Sequence, residues 1–242
     1  MKYMGSKSRI GRHILPLILP HITSTNNYVE PFCGGMNMMQ YVPENLNRYA
    51  NDSNKYVAAM WKELINGWIP PKEISKELYN SCKNLNHSQH VIGYVGINAS
   101  YSGKWFGGYA GKTKTKVGTV RDYQLEAFKN VVNQIKLLHN VKVCSKSYDE
   151  LTIPEKSVIY CDPPYANTTK YKGEFDSEKF WGWCRTQIKL GHIIFISEYT
   201  APNDFVSIWE TSVKSSLSAN GKVGGSKESI ERLFMHETQV SK

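Results

Sequence analysis

The chain has 242 residues, 40% of them hydrophobic and 12% aromatic, which is enough to bury the core of one domain and a smaller inserted part. Its five cysteines are an odd number without a CxxC pair, which argues against a disulfide framework or a zinc ribbon and predicts a reducing, cytoplasmic setting. No segment reaches the roughly 18 apolar residues of a membrane span. The formal net charge of +9 favours a polyanionic partner.

Short apolar runs that alternate with helix-like stretches predict an α/β fold with a mostly parallel sheet. The predicted strands cover residues 27–30, 48–51, 141–144, 157–161, 192–197, 206–210 and 232–236, and the predicted helices cover residues 8–19, 53–66, 122–138 and 177–190. In the third helix, apolar residues recur at helical spacing and predict a stripe that faces the core: Leu125, Phe128, Val131, Val132, Ile135 and Leu138. The polar segment 211–229 predicts a mobile connection before the last strand.

About 90 residues separate the second and third strands, far more than a crossover between parallel strands requires. We therefore predict a catalytic domain of residues 1–60 and 121–242, with residues 61–120 as an inserted subdomain. From the last part of the insert to Arg121, basic residues and aromatic rings alternate without any acidic residue: Lys104, Trp105, Phe106, Tyr109, Lys112, Lys114, Lys116 and Arg121. The many glycines of this stretch exclude an amphipathic membrane helix. A basic loop or hairpin that follows phosphates and inserts rings is favoured, and a solvated lysine-rich loop is the alternative.

Two acidic residues lie at or directly after the ends of the first two predicted strands. In NYVEPFCGG, residues 27–35, Glu30 ends the strand, and the glycines after it allow a ligand to approach the backbone closely. Glu30 either reaches that ligand or caps the next helix, and a purely structural turn is the alternative for the whole stretch. Asp52, in YANDSNKY, can accept both ribose hydroxyls of an adenosine cofactor or can cap a helix that starts at Ser53.

The stretch CDPPY, residues 161–165, directly follows a predicted buried strand. An exocyclic base amine is a poor nucleophile because its lone pair is delocalised into the ring, so it requires hydrogen-bond acceptors around its NH2 group. Asp162 and the carbonyl of Pro163 can supply these acceptors, Pro163 and Pro164 make the turn stiff, and the ring of Tyr165 offers a stacking face for an extruded base. A turn that merely ends the strand is the alternative.

Six short motifs occur in one order along the chain: YMGSK (3–7), VEPFCGG (29–35), ND (51–52), CDPPY (161–165), ISEY (196–199) and ERLF (231–234). Together they resemble the D12 class of DNA adenine-N6 methyltransferases, the Dam-like family, in the motif order of the alpha group of amino-methyltransferases. The resemblance implies a Rossmann-like methyltransferase sheet whose last strand is antiparallel, with a small, mainly helical target-recognition insert. It also implies S-adenosylmethionine as the methyl donor.

The resemblance also implies roles for individual residues. The cofactor would be bound by Tyr3, Lys7, Glu30, Pro31, Phe32, Gly34, Gly35, Asp52 and Asp162, and catalysis would depend on Asp162, Pro163, Pro164 and Tyr165. The pattern of cations and rings, and not the resemblance, predicts the DNA-binding residues: Lys104, Trp105, Tyr109, Lys112, Lys114, Lys116 and Arg121. The ring of Phe32 would make a cation-π contact with the sulfonium, although core burial alone also explains a phenylalanine there. Tyr3 stands where the family usually has tryptophan, and the insert does not reproduce the Dam recognition segment, so the GATC target is not carried over.

These observations predict a site-specific enzyme that methylates N6 of an adenine flipped out of double-stranded DNA, by direct attack and without a metal. The alternatives are a cytosine-N4 or RNA adenine methyltransferase, or a catalytically silent DNA-binding relative. We expect a monomer without a membrane partner, in the cytoplasm of a bacterial or phage-host cell and close to the nucleoid. A companion restriction endonuclease is compatible with this activity. Candidates for reading the bases are Asn98, Ser100, Tyr101 and Trp105.

Overall fold

A computed structural model of the chain describes residues 1–22, 26–115, 117–164, 175–214 and 228–240. Within these ranges the α-helices are α1 (Gly11–Ile18), α2 (Lys55–Ile65), α3 (Lys76–Lys83), α4 (Gln89–Asn98), α5 (Tyr123–Ile135) and α6 (Ser177–Lys189). The strands are β1 (Asn27–Glu30), β2 (Asn47–Asn51), β3 (Lys112–Lys114), β4 (Val120–Asp122), β5 (Lys142–Cys144), β6 (Val158–Cys161), β7 (Ile193–Glu198), β8 (Phe205–Lys214) and β9 (Glu228–His236).

The main sheet has seven strands in the order β5-β2-β1-β6-β7-β9-β8. Strands β5, β2, β1, β6 and β7 pair in parallel, whereas β9 runs antiparallel to both β7 and β8. The predicted Rossmann-like α/β fold with an antiparallel last strand is therefore confirmed. The chain order reverses between β1 and β6, and in open α/β sheets the crevice beyond the carboxyl ends at such a switch point is where ligands bind.

Short side chains at the helix starts explain where the helices beside this crevice begin. Asn54 accepts a hydrogen bond from the backbone N–H of Tyr56 and caps α2. Asp122 and Asp176 cap α5 and α6 in the same way. Side-chain oxygens at this position satisfy backbone donors that have no partner inside the helix, which fixes the first turn.

The predicted core stripe of α5 is partly wrong. Val131 and Leu138 are buried as predicted, but Leu125 is 38% exposed, and Gln124 and Gln134 are buried instead. The amide of Gln124 exchanges two hydrogen bonds with the backbone of Ile74, at 2.8 and 3.0 Å. Helix α5 therefore packs partly against loop backbone, where an amide side chain is more favourable than an apolar one because it satisfies buried polar groups.

The predicted mobile connection at residues 211–229 is wrong at both of its ends. Strand β8 continues to Lys214 and β9 already starts at Glu228, with Thr211 opposite Glu231 and Lys214 opposite Glu228. Backbone hydrogen bonds of a long antiparallel pair extend here through polar residues that carry no apolar pattern. Residues 215–227 lie outside the described residues.

The insert is mainly helical, as predicted, and consists of α3, α4 and the antiparallel hairpin β3–β4. Helix α4 packs tightly on α2, since a Cβ atom on Gly93 would lie 2.0 Å from the carbonyl oxygen of Tyr56. The buried side chains of the insert belong to the same hydrophobic cluster as those of the main sheet: Ile74, Tyr79, Cys82, Ile92, Tyr94, Val95, Ile97 and Ala99. The insert thus shares the core of the sheet, and its boundaries at residues 61 and 120 stay a prediction.

Two further predictions concern disulfide bonds and membrane-spanning segments. All five cysteines are free thiols, and only Cys144 is exposed. Within the described parts of the chain, no helix is long and apolar enough to span a membrane.

Candidate active site

The carboxyl ends of β1, β2 and β6 bring three predicted acidic residues to one edge of the sheet. Glu30 is the last residue of β1, Asp52 follows β2, and Asp162 follows β6. Strand β1 pairs with both β2 and β6, so these carboxylates lie around the switch point of the sheet.

Lys7 contacts Asp162 through a buried ion pair. Its side chain is only 5% exposed, and its Nζ atom lies 3.1 Å from Asp162 Oδ1 and 3.5 Å from Glu231 Oε2. Burial lowers the pKa of Lys7, but the negative charges of Asp162 and Glu231 raise it more, so that the net shift is upward. Lys7 therefore remains an ammonium and holds the Asp162 carboxylate on one side.

Glu30 is 2% exposed and accepts a hydrogen bond of 3.1 Å from the hydroxyl of Tyr28. Burial raises its pKa to about 8, opposed by the Tyr28 hydrogen bond and supported by the charge of Asp162. The residues after β1 form turns and then a short 3-10 helix, Met39–Tyr41, whose first position is preceded by Met38, so the helix-cap alternative for Glu30 is wrong. At neutral pH this buried side chain is mainly a neutral carboxylic acid.

Asp52 connects β2 to the glycine turn after β1. Its Oδ2 accepts from the N–H of Gly34 at 2.9 Å, and its Oδ1 accepts from the N–H of Asn54 at 2.8 Å. Burial raises the pKa of Asp52 to about 6, and the two backbone hydrogen bonds oppose this rise. Because Asn54 caps α2, the helix-cap alternative for Asp52 is wrong. A carboxylate has about four acceptor positions, so each oxygen retains capacity for a further donor.

The glycines of the turn make room for Tyr3. A Cβ atom on Gly34 would lie 2.7 Å from Tyr3 Cε1, and one on Gly35 would lie 2.7 Å from Tyr3 Cβ. The ring of Tyr3 thus occupies the space beside these glycines that the sequence predicts for a ligand. The backbone of the same turn is held by hydrogen bonds from Gln134. The amide of Gln134 donates to the carbonyls of Gly35 and Met36, at 2.8 and 3.0 Å.

Replacing Gly34 with alanine should lower the free energy of unfolding by about 1–3 kcal/mol. Gly34 has a positive φ of 43°, which disfavours a Cβ atom, and the new methyl group would collide with Tyr3. Thermal unfolding measures the loss, and the additional change Tyr3→Ala should recover part of it. The control is Gly182→Ala in α6, where a Cβ atom meets nothing within 4 Å and alanine favours the helix. Equal losses for both variants would contradict the prediction.

Phe32 and the prolines occupy different environments at this edge. The ring of Phe32 packs against Tyr148, Phe175 and Phe180, with centroid distances of 5.3, 6.1 and 5.8 Å. The half-buried Phe32 therefore has a core-packing role, and its contact with a sulfonium stays a prediction. The carbonyl of Pro31 accepts from the amide of Asn51 at 2.9 Å. Pro163 is buried and Pro164 half-buried, whereas Tyr165 lies outside the described residues.

The basic stretch of the insert forms the predicted hairpin, with Lys112 opposite Asp122 in its register. Lys104, Lys112, Lys114 and Arg121 are exposed, and Lys116 lies outside the described residues. Two of the exposed cations already have acidic partners on the protein surface. Lys112 lies 3.2 Å from Glu73, and Arg121 makes two hydrogen bonds with Glu126, at 2.7 and 2.9 Å.

The two aromatic candidates for DNA binding point into the insert. Trp105 stacks on Tyr56 at 5.9 Å, and the hydroxyl of Tyr109 donates to the carbonyl of Ile74 at 2.6 Å. Their faces are occupied inside the protein, so this conformation does not offer them as stacking platforms. Among the base-reading candidates, Asn98 and Ser100 are buried, Trp105 is half-buried, and Tyr101 is 45% exposed.

Two residues that contact this site, Glu231 and Gln134, were not predicted as site residues from the sequence. Glu231 belongs to the ERLF motif, and its place in that motif, directly before the last predicted strand, was the available signal. Gln134 interrupts the apolar pattern of α5, which was a weaker signal of the same kind. Among the residues that the structure describes, no group of three or more His, Cys, Asp or Glu side chains is arranged to hold a metal ion.

The strand order and the acidic edge at the switch point define an α/β enzyme of the Rossmann-like methyltransferase class. A family model of the D12 class N6 adenine-specific DNA methyltransferases matches residues 3–94 and 89–183. The chain belongs to this family, and the resemblance inferred from its motifs is confirmed. It is therefore an adenine-specific DNA methyltransferase. No curated protein gives a significant match to the chain.

Proposed function

We propose that the enzyme transfers the methyl group of S-adenosylmethionine to N6 of an adenine flipped out of double-stranded DNA. The observation that carries this proposal is the position of Asp162, whose half-buried carboxylate follows β6 at the switch point and is paired with the buried Lys7. Family membership fixes the base and the reaction class. The flipped base and the identity of the methyl donor are the parts that we add.

The residues at this edge fit the proposed donor. Asp52 retains acceptor capacity on both carboxylate oxygens, which matches the two hydroxyls of a ribose. In this proposal Glu30, Pro31 and the turn at Gly34 and Gly35 would lie beside the bound donor, and Phe32 is the candidate ring for a cationic sulfur. When bound, S-adenosylmethionine supplies a methyl group activated by a positively charged sulfur.

Asp162 and Pro163 would act on the target amine. The Asp162 carboxylate and the Pro163 carbonyl would accept the two amine hydrogens, orient the nitrogen lone pair and stabilise the positive charge that develops on it. No covalent enzyme intermediate is required because the amine itself is the nucleophile. Pro163 is buried and its ring restricts the backbone, so the acceptors would be positioned in advance.

Product analysis tests this proposal directly. Duplex DNA is incubated with the enzyme and methyl-labelled donor, digested to nucleosides and separated. We expect label in N6-methyladenine alone, with little incorporation into RNA of the same sequence. Label in N4-methylcytosine or a preference for RNA would support the other amino-methyltransferase alternatives. An absence of label in any nucleic acid would favour a silent DNA-binding relative.

Removing the positive charges of the hairpin lysines should weaken binding to all DNA sequences by a similar factor. In the triple variant of Lys112, Lys114 and Lys116 to alanine, we expect the slope of log affinity against log salt to become shallower by up to about one unit per lost phosphate contact. Lys112 should contribute least, because it must leave Glu73. The control replaces exposed lysines outside the insert, Lys136 and Lys189. An unchanged slope would indicate that the hairpin is only a solvated loop.

The cellular setting follows from the proposed substrate. We propose that the enzyme works as a monomer in the cytoplasm, close to the nucleoid of a bacterial or phage-host cell. A companion restriction endonuclease would be consistent with the activity. Methylation-sensitive sequencing of DNA from cells that express the chain would identify the recognised site.

A further inference from the structure

One buried ammonium group is shared by two carboxylates from distant parts of the chain. Lys7 Nζ lies 3.1 Å from Asp162 Oδ1 and 3.5 Å from Glu231 Oε2, and it also donates to the carbonyl of Gly5 at 3.4 Å. Lys7 is 5% exposed and Glu231 is 9% exposed. Removing one partner of such a buried pair leaves a charge that water cannot solvate well, so each group constrains the other.

Strand β9 presents Glu231 to Lys7 in a defined orientation. Leu233 and Met235 lie on the same face of the strand and belong to the larger core cluster. The neighbouring Arg232 contacts other groups, since it donates to Glu210 at 3.1 Å and to the carbonyl of Tyr199 at 2.7 Å. The backbone at Glu231 is therefore fixed by the packing of its strand, and its largely buried side chain is confined beside the ammonium group.

We propose that Glu231 is a positioning residue for methyl transfer, which acts on Asp162 through Lys7. The proposal rests on the proposed role of Asp162 in orienting the target amine. With both acids present, the ammonium is held between them and fixes the Asp162 carboxylate at the end of β6. Without Glu231, the ammonium would lose the acidic partner that holds it on the side of β9 and could move with Asp162. A displacement of about 1 Å at a reacting centre can cost about 100-fold in rate.

A double-mutant cycle tests this coupling. Single-turnover methyl transfer is measured for the wild type, Glu231→Gln, Lys7→Met and the double variant, together with DNA affinity and thermal unfolding. We expect Glu231→Gln to lower the transfer rate by about 10- to 100-fold and DNA affinity by less than about twofold. The double variant should be no slower than Lys7→Met alone, because the proposal has Glu231 act on Asp162 through the ammonium group. Glu231→Asp should give an intermediate rate.

The matched control is Glu210→Gln on the neighbouring strand β8, whose carboxylate pairs with Arg232 instead of Lys7. It should retain the wild-type rate. Losses that add in the double variant would overturn the proposal, as would an unchanged rate in Glu231→Gln or a rate loss explained entirely by weaker DNA binding. If Glu231→Gln does not fold, the cycle is run with Glu231→Asp.

Asp162→Ala is assayed in parallel, so that failure of the two proposals can be told apart. If Asp162→Ala remains active, the proposed role of Asp162 fails. If Asp162→Ala is inactive and Glu231→Gln is fully active, only the positioning role of Glu231 is refuted.

Discussion

Asp162→Ala should lower the rate of methyl transfer by about 1,000-fold or more, while DNA affinity stays within about twofold. Without the carboxylate, the target amine would lose its strongest hydrogen-bond acceptor, and the developing positive charge would lose its nearest counter-charge. The fold should tolerate the change, because the buried Lys7 keeps Glu231 as an acidic partner. Single-turnover incorporation of labelled methyl groups, compared with equilibrium DNA binding, measures the two effects separately.

Two variants make this result specific. Asp162→Asn keeps one oxygen acceptor but removes the charge, so a rate between those of the wild type and Asp162→Ala would separate orientation from electrostatic stabilisation. Asp204→Ala is the control for loss of a partly buried, ion-paired aspartate, because Asp204 pairs with Arg185 at 2.6 Å and lies outside the candidate site. Equal losses in Asp204→Ala and Asp162→Ala would mean that general destabilisation explains both.

The location of this site is predictable from the sequence because strand ends are encoded locally. The strands VIYC and NYVE are short and fully buried, and parallel strands place their carboxyl ends at one edge. Glu30, Asp52 and Asp162 can therefore be assigned to the same crevice because each lies at the end of a parallel strand or directly after it. Their motifs indicate the family, and the D12 match confirms it; the role of each residue stays a prediction.

The partners of these residues could not be predicted, because they depend on contacts between distant segments. Nothing local to Lys7 indicates that it is held between Asp162 and Glu231, which are more than 150 residues away in the chain. The contacts of Trp105 and Tyr109 could not be predicted from composition either. Aromatic rings among lysines resemble a stacking surface, but here Trp105 stacks on Tyr56 of α2 and Tyr109 packs against Tyr79 of α3, where the rings bury apolar area. Their role in DNA binding stays a prediction.

Glu30→Gln should stabilise the protein at pH 8 and have little effect near pH 4.5. Burial raises the pKa of Glu30 from 4.5 to about 8 in the folded protein, so between these values the folded state holds a proton that the unfolded state has released. Folding stability therefore falls as the pH rises through this window, by about 1 kcal/mol per pH unit and on the order of 3 to 5 kcal/mol in total. Glutamine keeps an acceptor for the Tyr28 hydroxyl and carries no charge to bury.

Thermal unfolding of both proteins across this pH range measures the effect as a difference, which is necessary because Asp52 contributes with the same sign. The pKa of Asp52 is raised from 3.8 to about 6, so the wild-type stability alone would mix the two groups at acidic pH. The difference between wild type and Glu30→Gln isolates Glu30 and should grow steadily up to about pH 8, then become constant because Glu30 is ionised in both states. Glu210→Gln, which makes the same chemical change at an exposed carboxylate on β8, is the control for the substitution itself. A stabilisation of equal size at every pH would mean that Glu30 is not held neutral, and its burial would then require a cationic partner.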